Sequence, residues 1–120
     1  MNKHCEAFDM KDPIEAYNHM RPQMIIDYGS YAYGHALHTW DCGFRILSRC
    51  RTCGGLILIQ DSEFHGIDDD DYTDYIPVDS EEDADELNRK YNGYELETKI
   101  GRRYLMKDND DAPHWSKEEE

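Results

Sequence analysis

Residues 44–59 read FRILSRCRTCGGLILI, and this stretch decides the fold that the sequence predicts. Its first part, 44–49, alternates in the manner of a half-buried strand, and its last part, 56–59, is a short apolar run rich in β-branched residues. The two parts flank Cys50 and Cys53. The sequence therefore predicts a β-hairpin whose connecting turn carries two cysteines.

The Cys-x2-Cys pair in this turn is typical of a metal site. Two thiolates at this spacing can converge on one ion, and Gly54 after the second cysteine lets the backbone turn back toward the sulfur atoms. Cys42-Gly43 repeats the second half of the pattern, and a histidine lies four residues before it. We therefore predict a structural Zn²⁺ site with four protein ligands, which are His38, Cys42, Cys50 and Cys53. Three other residues stay open as the fourth ligand, namely His35, His65 and Cys5.

The pattern over residues 38–60 resembles the paired knuckles of zinc-ribbon and rubredoxin-type proteins. It departs from them in the wider spacing between His38 and Cys42 and in the short link between the knuckles. The resemblance implies one zinc ion held between two knuckles. Because four protein ligands leave no position for water, such a site is structural and not catalytic.

Two helices are indicated by their start signals. Residues 12–15 combine an N-cap aspartate, a proline at the first helical position and a glutamate three residues after the cap, and Pro22 limits this helix to about two turns. Ser80 with Asp83 predicts the start of a second helix, which Asn92-Gly93 would end.

The remaining strands are predicted from alternation and turn residues. Strands are expected at 23–28 and 31–40, joined by a turn at 29–30. Residues 94–100 alternate as a half-buried strand, with a partner strand expected at 104–106. The predicted fold class is α+β, a small single domain with antiparallel β-hairpins, a zinc-ribbon-like knuckle pair and one or two short helices.

The charge of the chain is large and unevenly distributed. The 120 residues include 27 acidic and 13 basic ones, a net charge of −14. Residues 1–60 balance six acids with six bases, whereas 61–120 hold 21 acids and seven bases. Residues 61–75 are predicted to be a solvated acidic loop.

These features predict one zinc-stabilised α+β domain over residues 1–107. It would contain the zinc-ribbon-like part at 38–60 and an acidic α/β part at 61–107, and an acidic tail would follow at 108–120. Leu, Ile, Val and Phe make up only 20 of the 120 residues. We therefore expect the bound metal to supply part of the folding free energy.

The net charge of the chain also makes some classes of partner unfavourable. A net −14 disfavours DNA, RNA and anionic lipid, because binding these polyanions uses a basic surface whose contacts release counterions. No apolar run approaches the roughly 18 residues that span a bilayer, and the first ten residues lack a secretory signal, so we expect a cytoplasmic protein with no membrane partner.

The expected function is that of a non-enzymatic protein whose acidic surface binds, and can inhibit, a basic partner. Such a partner would be a nuclease or another nucleic-acid-binding protein, as for toxin-immunity or anti-defence proteins. The residues predicted to form the surface are Asp68, Asp69, Asp70, Asp71, Asp74, Glu81, Glu82 and Asp83.

Two other functions stay open. A zinc-ribbon module of a transcription or RNA-processing assembly would contact nucleic acid through Arg45, Arg49 and Arg51. A metal-dependent nuclease would use Glu97 to hold Mg²⁺ and Lys99 to activate water.

Overall fold

The fold is described from a computed structural model. The described residues are 4–32, 42–64, 70–91, 96, 100–108 and 111–116. They form an antiparallel six-stranded sheet in which the strands follow one another in chain order. The strands are β1 (Pro22–Ala32), β2 (Cys42–Cys50), β3 (Leu56–Phe64), β4 (Asp70–Pro77), β5 (Leu105–Asp108) and β6 (His114–Trp115).

Helical segments lie on both faces of this sheet. The 3-10 helix Glu6–Asp9 and helix α1 (Pro13–His19) precede β1, and helix α2 (Glu81–Lys90) lies between β4 and β5 in the chain. The α+β class is therefore confirmed. Among the described residues, no helix is both long enough and apolar enough to cross a membrane.

Both predicted helix starts are confirmed by their caps. The Asp12 side chain accepts a hydrogen bond from the Ile14 N–H at 2.9 Å, with Pro13 at the first helical position. The Ser80 hydroxyl accepts one from the Asp83 N–H at 3.0 Å. Each cap satisfies a backbone donor that the helix leaves unpaired, which is why these short helices begin where the sequence indicates.

The predicted hairpin is also confirmed, as β2 and β3. The register runs from Cys42 opposite Glu63 to Arg49 opposite Leu56. The connecting turn carries the Cys-x2-Cys pair, as expected. Cys42, in contrast, lies within β2 and does not form a second knuckle turn, because β2 pairs with a strand on each side at this position.

The turn predicted at residues 29–30 is wrong. β1 continues through it and pairs with β2, from Pro22 opposite Cys50 to Ala32 opposite Cys42. The register shifts on passing Ile25 and again on passing Tyr28, and Gly29 has a φ of +87°. The glycine therefore serves a β-bulge instead of a chain reversal. Apart from the end of β1, the strand predicted at 31–40 lies outside the described residues.

The loop predicted at residues 61–75 is also wrong for the described part of this range, 61–64 and 70–75. β3 extends to Phe64 and β4 begins at Asp70, and the two strands pair from Ile57 opposite Pro77 to Phe64 opposite Asp70. Of the strand predicted at 94–100, the structure describes only Leu96, which is helical and buried, and residue 100, which lies in a bend. The strand expected at 104–106 is β5, and its partner is β4.

Each face of the sheet buries an apolar cluster against a helix, because side chains alternate between the faces. On the α1 face, Ile57 and Ile59 pack with Phe8, Ala16 and other residues of the N-terminal segment, residues 4–20. On the α2 face, the core residues of the sheet and of α2 are Leu47, Leu56, Leu58, Ile76, Ala84 and Leu87.

The α2 face also buries a row of polar side chains. Arg45, Gln60 and Asp74 lie opposite one another on β2, β3 and β4. Arg45 donates to the Gln60 Oε1 and to the backbone oxygens of Asn88 and Tyr91 at the end of α2. A cation at this end favours the helix dipole, so Arg45 ties α2 to the sheet.

The C-terminal part of the chain belongs to the fold as far as it is described. β6 pairs with β5, and Trp115 packs against the core of the α1 face. The Trp115 Nε1 donates to the Lys11 carbonyl at 2.9 Å, and the Arg103 guanidinium lies 3.8 Å from the indole centroid. Residues 114–116 are therefore not part of a loose tail.

We expect Trp115→Ala to lower the free energy of unfolding by about 2 kcal/mol, because it removes a half-buried indole that joins the C-terminal strand to the N-terminal segment. Urea unfolding followed by far-UV circular dichroism measures this loss. His114→Ala is the matched control, since His114 is exposed on the same strand. Equal stability of the two variants would contradict this role of β6.

Candidate metal centre

Four potential metal ligands converge at one end of the sheet. Cys5 precedes the 3-10 helix, His19 ends α1, Cys50 ends β2, and Cys53 lies in the turn before β3. One ligand atom from each of these residues lies within 4.8 Å of all the others. The Sγ atoms of Cys5 and Cys53 are 3.6 Å apart, close to the roughly 3.8 Å expected between thiolates on one tetrahedral ion.

The hairpin turn is shaped by backbone hydrogen bonds and a glycine. The Cys50 N–H donates to the Gly55 carbonyl, and the Gly54 N–H donates back to the Cys50 carbonyl, each at 2.8 Å. Gly54 has a φ of +80°, a conformation that residues with a Cβ rarely adopt. This turn directs the sulfur atoms of Cys50 and Cys53 toward the N-terminal segment.

Gly55 is the point where the N-terminal segment crosses the turn. A Cβ atom at Gly55 would lie 2.4 Å from the Cys5 Cα and 2.7 Å from the His4 carbonyl oxygen. The Cys5 N–H donates to the Leu56 carbonyl at 3.0 Å, which holds the two backbones at this separation. The absence of a side chain at Gly55 therefore allows the Cys5 sulfur to reach the other cysteines.

The end of α1 is tied to the same turn. The Thr52 hydroxyl donates to the His19 carbonyl at 3.0 Å, and the Arg51 N–H donates to the Arg21 carbonyl at 2.9 Å. The His19 Nε2 is buried and has no hydrogen-bond partner in the described structure. A buried nitrogen without a partner costs about 1–3 kcal/mol, and a metal ion is a partner that an imidazole nitrogen binds well.

The surroundings of Cys50 and Cys5 shift the pKa values of their thiols in opposite directions. Burial raises the pKa of Cys50, but hydrogen bonds from the backbones of Arg21, Cys53 and Thr52 outweigh it, and the pKa falls to about 7. Burial raises the pKa of Cys5 well above its ordinary value, and the neighbouring cysteines add to this effect. Negative charge on Cys50 is thus stabilised, whereas Cys5 needs a cation to hold it as a thiolate.

The predicted ligands Cys50 and Cys53 lie together, and Cys5 is the alternative that joins them. Cys42 does not, because it lies eight residues from Cys50 along β2, about 26 Å away in an extended strand. The prediction that Cys42 shares an ion with Cys50 is therefore corrected. His38, His35 and His65 lie outside the described residues.

Sequence reasoning missed His19. A histidine in the last turn of a helix is common, because a cation there favours the helix dipole, so its position does not mark it as a potential metal ligand. The sequence did contain one signal for His19, namely its position shortly before Pro22. Pro22 places the end of α1 at His19 and lets the chain turn into β1, whose first residue pairs with Cys50.

In this fold, fewer residues of the predicted acidic surface are available to a partner than the sequence predicts. Asp74 is fully buried, and Gln60 donates to its carboxylate, so this residue is not part of a surface. Asp83 accepts two hydrogen bonds from Arg102, at 2.6 and 2.8 Å, which hold its pKa below the usual range. Glu81 and Glu82 are exposed, as expected.

The structure says less about the other acidic residues of the predicted surface. The backbones of Asp70 and Asp71 belong to β4. Asp68 and Asp69 lie outside the described residues, as do Glu97 and Lys99 of the nuclease alternative. Arg45 of the nucleic-acid alternative is buried at 3% exposure, so in this fold it does not offer a surface cation.

Comparisons of the chain with protein-family models, with curated proteins and with solved structures find no match. A function must therefore be inferred from the residues themselves.

We expect Gly55→Ala to lower the free energy of unfolding by about 3 kcal/mol and to weaken metal binding, because its methyl group would overlap the Cys5 backbone. Gly54→Ala is the matched control. It adds only the strain of a positive φ, about 1 kcal/mol, and no close contact. Urea unfolding and competition with a metal chelator measure the two effects. Equal losses in both variants would contradict the close approach of Cys5.

Proposed function

We propose that the chain is a zinc protein in which Cys5, His19, Cys50 and Cys53 hold one structural Zn²⁺ ion, and that the domain acts by binding a basic protein partner. The observation that carries the proposal is the mutual proximity of these four ligand atoms, all within 4.8 Å. The proposal has two parts, the ion and the partner, which separate experiments test.

The donor set supports zinc. Three sulfur atoms and one imidazole nitrogen are the ligands of many structural zinc sites, whereas Ca²⁺ and Mg²⁺ are bound by oxygen atoms. Four protein ligands complete a tetrahedron and leave no position for water or substrate, which favours a structural ion over a catalytic one.

The positions of the ligands support a structural role as well. Cys5 and His19 belong to the N-terminal segment, while Cys50 and Cys53 belong to the β2–β3 hairpin. An ion between them would crosslink residues that are between 31 and 48 positions apart in sequence. Because such a site does not exist in the unfolded chain, the binding free energy of zinc would become folding free energy.

The remaining acidic surface supports a basic partner. The side chains of Asp9 and Asp79 are 72% and 78% exposed, and His4 lies between them, 3.0 Å from one carboxylate and 3.4 Å from the other. Glu81 and Glu82 follow Asp79 at the exposed start of α2. This surface, from Asp9 to Glu82, would attract a basic protein and increase the rate of its association.

We expect the purified protein to contain about one zinc ion per chain and to bind Co²⁺ with the ligand-field bands of a tetrahedral thiolate site. Cys50→Ser and His19→Ala should lose this spectrum, because each removes one of four ligands. Cys42→Ser should retain zinc, because β2 holds residue 42 far from the site. Elemental analysis and absorption spectroscopy measure both. A wild-type protein that takes up neither metal would refute the zinc site.

We expect a fluorescent amphipathic peptide of lysine and leucine to bind the zinc-loaded protein more weakly as salt is added, and its glutamate–leucine counterpart not to bind. Glu81→Gln with Glu82→Gln should weaken binding about threefold, because two exposed charges are removed. Glu15→Gln is the control, since Glu15 is exposed on α1. Fluorescence anisotropy measures the dissociation constants. Equal binding of both peptides would rule out selection by charge.

A further inference from the structure

We infer that the basic partner docks on the open part of the α1 face, centred on Phe44, through an apolar side chain flanked by lysine or arginine. This inference rests on the proposed function and adds an apolar docking surface to the acidic surface from Asp9 to Glu82 that attracts the partner. Phe44 alternates with Ile46 and Ser48 along β2, so all three side chains point to the face that α1 covers only in part.

The open part of this face is apolar and exposed. Phe44 is 43% exposed, and Met24, which lies opposite Ser48 on β1, is 55% exposed. Ile46 lies between them and is half-buried. Large apolar side chains that remain exposed together on one sheet face are typical of protein-binding surfaces. We call the surface formed by Met24, Phe44 and Ile46 the Phe44 surface.

Carboxylates are interleaved with these apolar side chains. Asp27 lies directly opposite Ile46 in the β1–β2 register, and Asp61 lies directly opposite Phe44 in the β2–β3 register. Residues opposite one another on paired strands point to the same face, about 5 Å apart. The Asp27 carboxylate accepts a hydrogen bond from the Gly29 N–H at 2.9 Å, which fixes its orientation.

A cavity of about 290 Å³ lies on the same face, beside α1. It is lined by Tyr17 and Met20 from the N-terminal segment and by Tyr75 from β4, with Asn18, Arg21 and Pro22 completing the wall. Tyr75 lies opposite Ile59, which in turn lies opposite Ile46, so the cavity and the Phe44 surface share one row of the sheet. The cavity is large enough for one apolar side chain.

The negative charge of these carboxylates favours one of three possible occupants of the Phe44 surface. A second copy of the same face would bring carboxylates against carboxylates, and nucleic acid would bring phosphates against them. A segment with one apolar side chain between basic residues complements both the apolar side chains of this surface and the exposed Asp27 carboxylate. The structure thus favours a basic protein segment over the other two.

The test uses the zinc-loaded full chain and the labelled lysine–leucine peptide. Phe44→Ala should weaken binding at least tenfold, and Phe44→Leu should restore most of it, because an apolar anchor is required. Asp27→Asn should weaken binding about threefold and reduce its salt dependence. Ile14→Ala should change binding less than twofold, since Ile14 is 50% exposed on α1 and lies outside the Phe44 surface. Unchanged zinc content and circular dichroism confirm that each variant is folded.

The outcomes separate this inference from the proposed function. If Phe44→Ala binds like the wild type while the Glu81 and Glu82 variant binds weakly, the docking surface is wrong and the basic partner stands. If the peptide does not bind the wild type at all, the partner part of the proposed function fails as well. A dimer in light scattering that Phe44→Ala abolishes, or an oligodeoxythymidine that binds through Phe44, would overturn the inference in favour of another occupant.

Discussion

The fold depends on how closely the backbone of Cys5 approaches Gly55. The Cα atom of Cys5 lies where any side chain at residue 55 would be, so the N-terminal segment can rest on the hairpin turn only at a glycine. This contact brings Cys5 to the Cys-x2-Cys pair, and α1 then brings His19 from the other side. The close approach of two backbones thus places the four potential ligands at one end of the sheet.

The local signals of the sequence predicted both helix starts and the central hairpin, because caps and alternation act within a few residues. Asp12 and Ser80 begin the helices, and residues 44–59 form the hairpin. The four potential metal ligands could be predicted only in part. Spacing identifies potential ligands that are close in sequence, such as Cys50 and Cys53, whereas Cys5 and His19 reach them only through the tertiary fold. Cys42-Gly43 repeats the second half of the knuckle pattern, but Cys42 lies in β2, which pairs with β1 on one side and β3 on the other.

Which of the acidic side chains are exposed was equally hard to predict from the sequence. Counting predicts that acidic residues lie on the surface, yet Asp74 is buried in a row with Gln60 and Arg45 on the α2 face. Alternation decides this outcome, because every second side chain of a central strand is covered by a helix. Arg45 connects this row to the end of α2, so the only buried cation of the described core organises polar groups from both layers.

The bulges of β1 have a consequence for how the protein behaves at high concentration. β1 ends the described sheet, and an eleven-residue strand at such an edge can serve as a template on which other chains add as strands. Pro22 lacks a backbone donor, and the two register shifts in β1 twist the strand away from a flat edge. A strand with few charged side chains is thereby protected from aggregation by its backbone geometry instead of by charge.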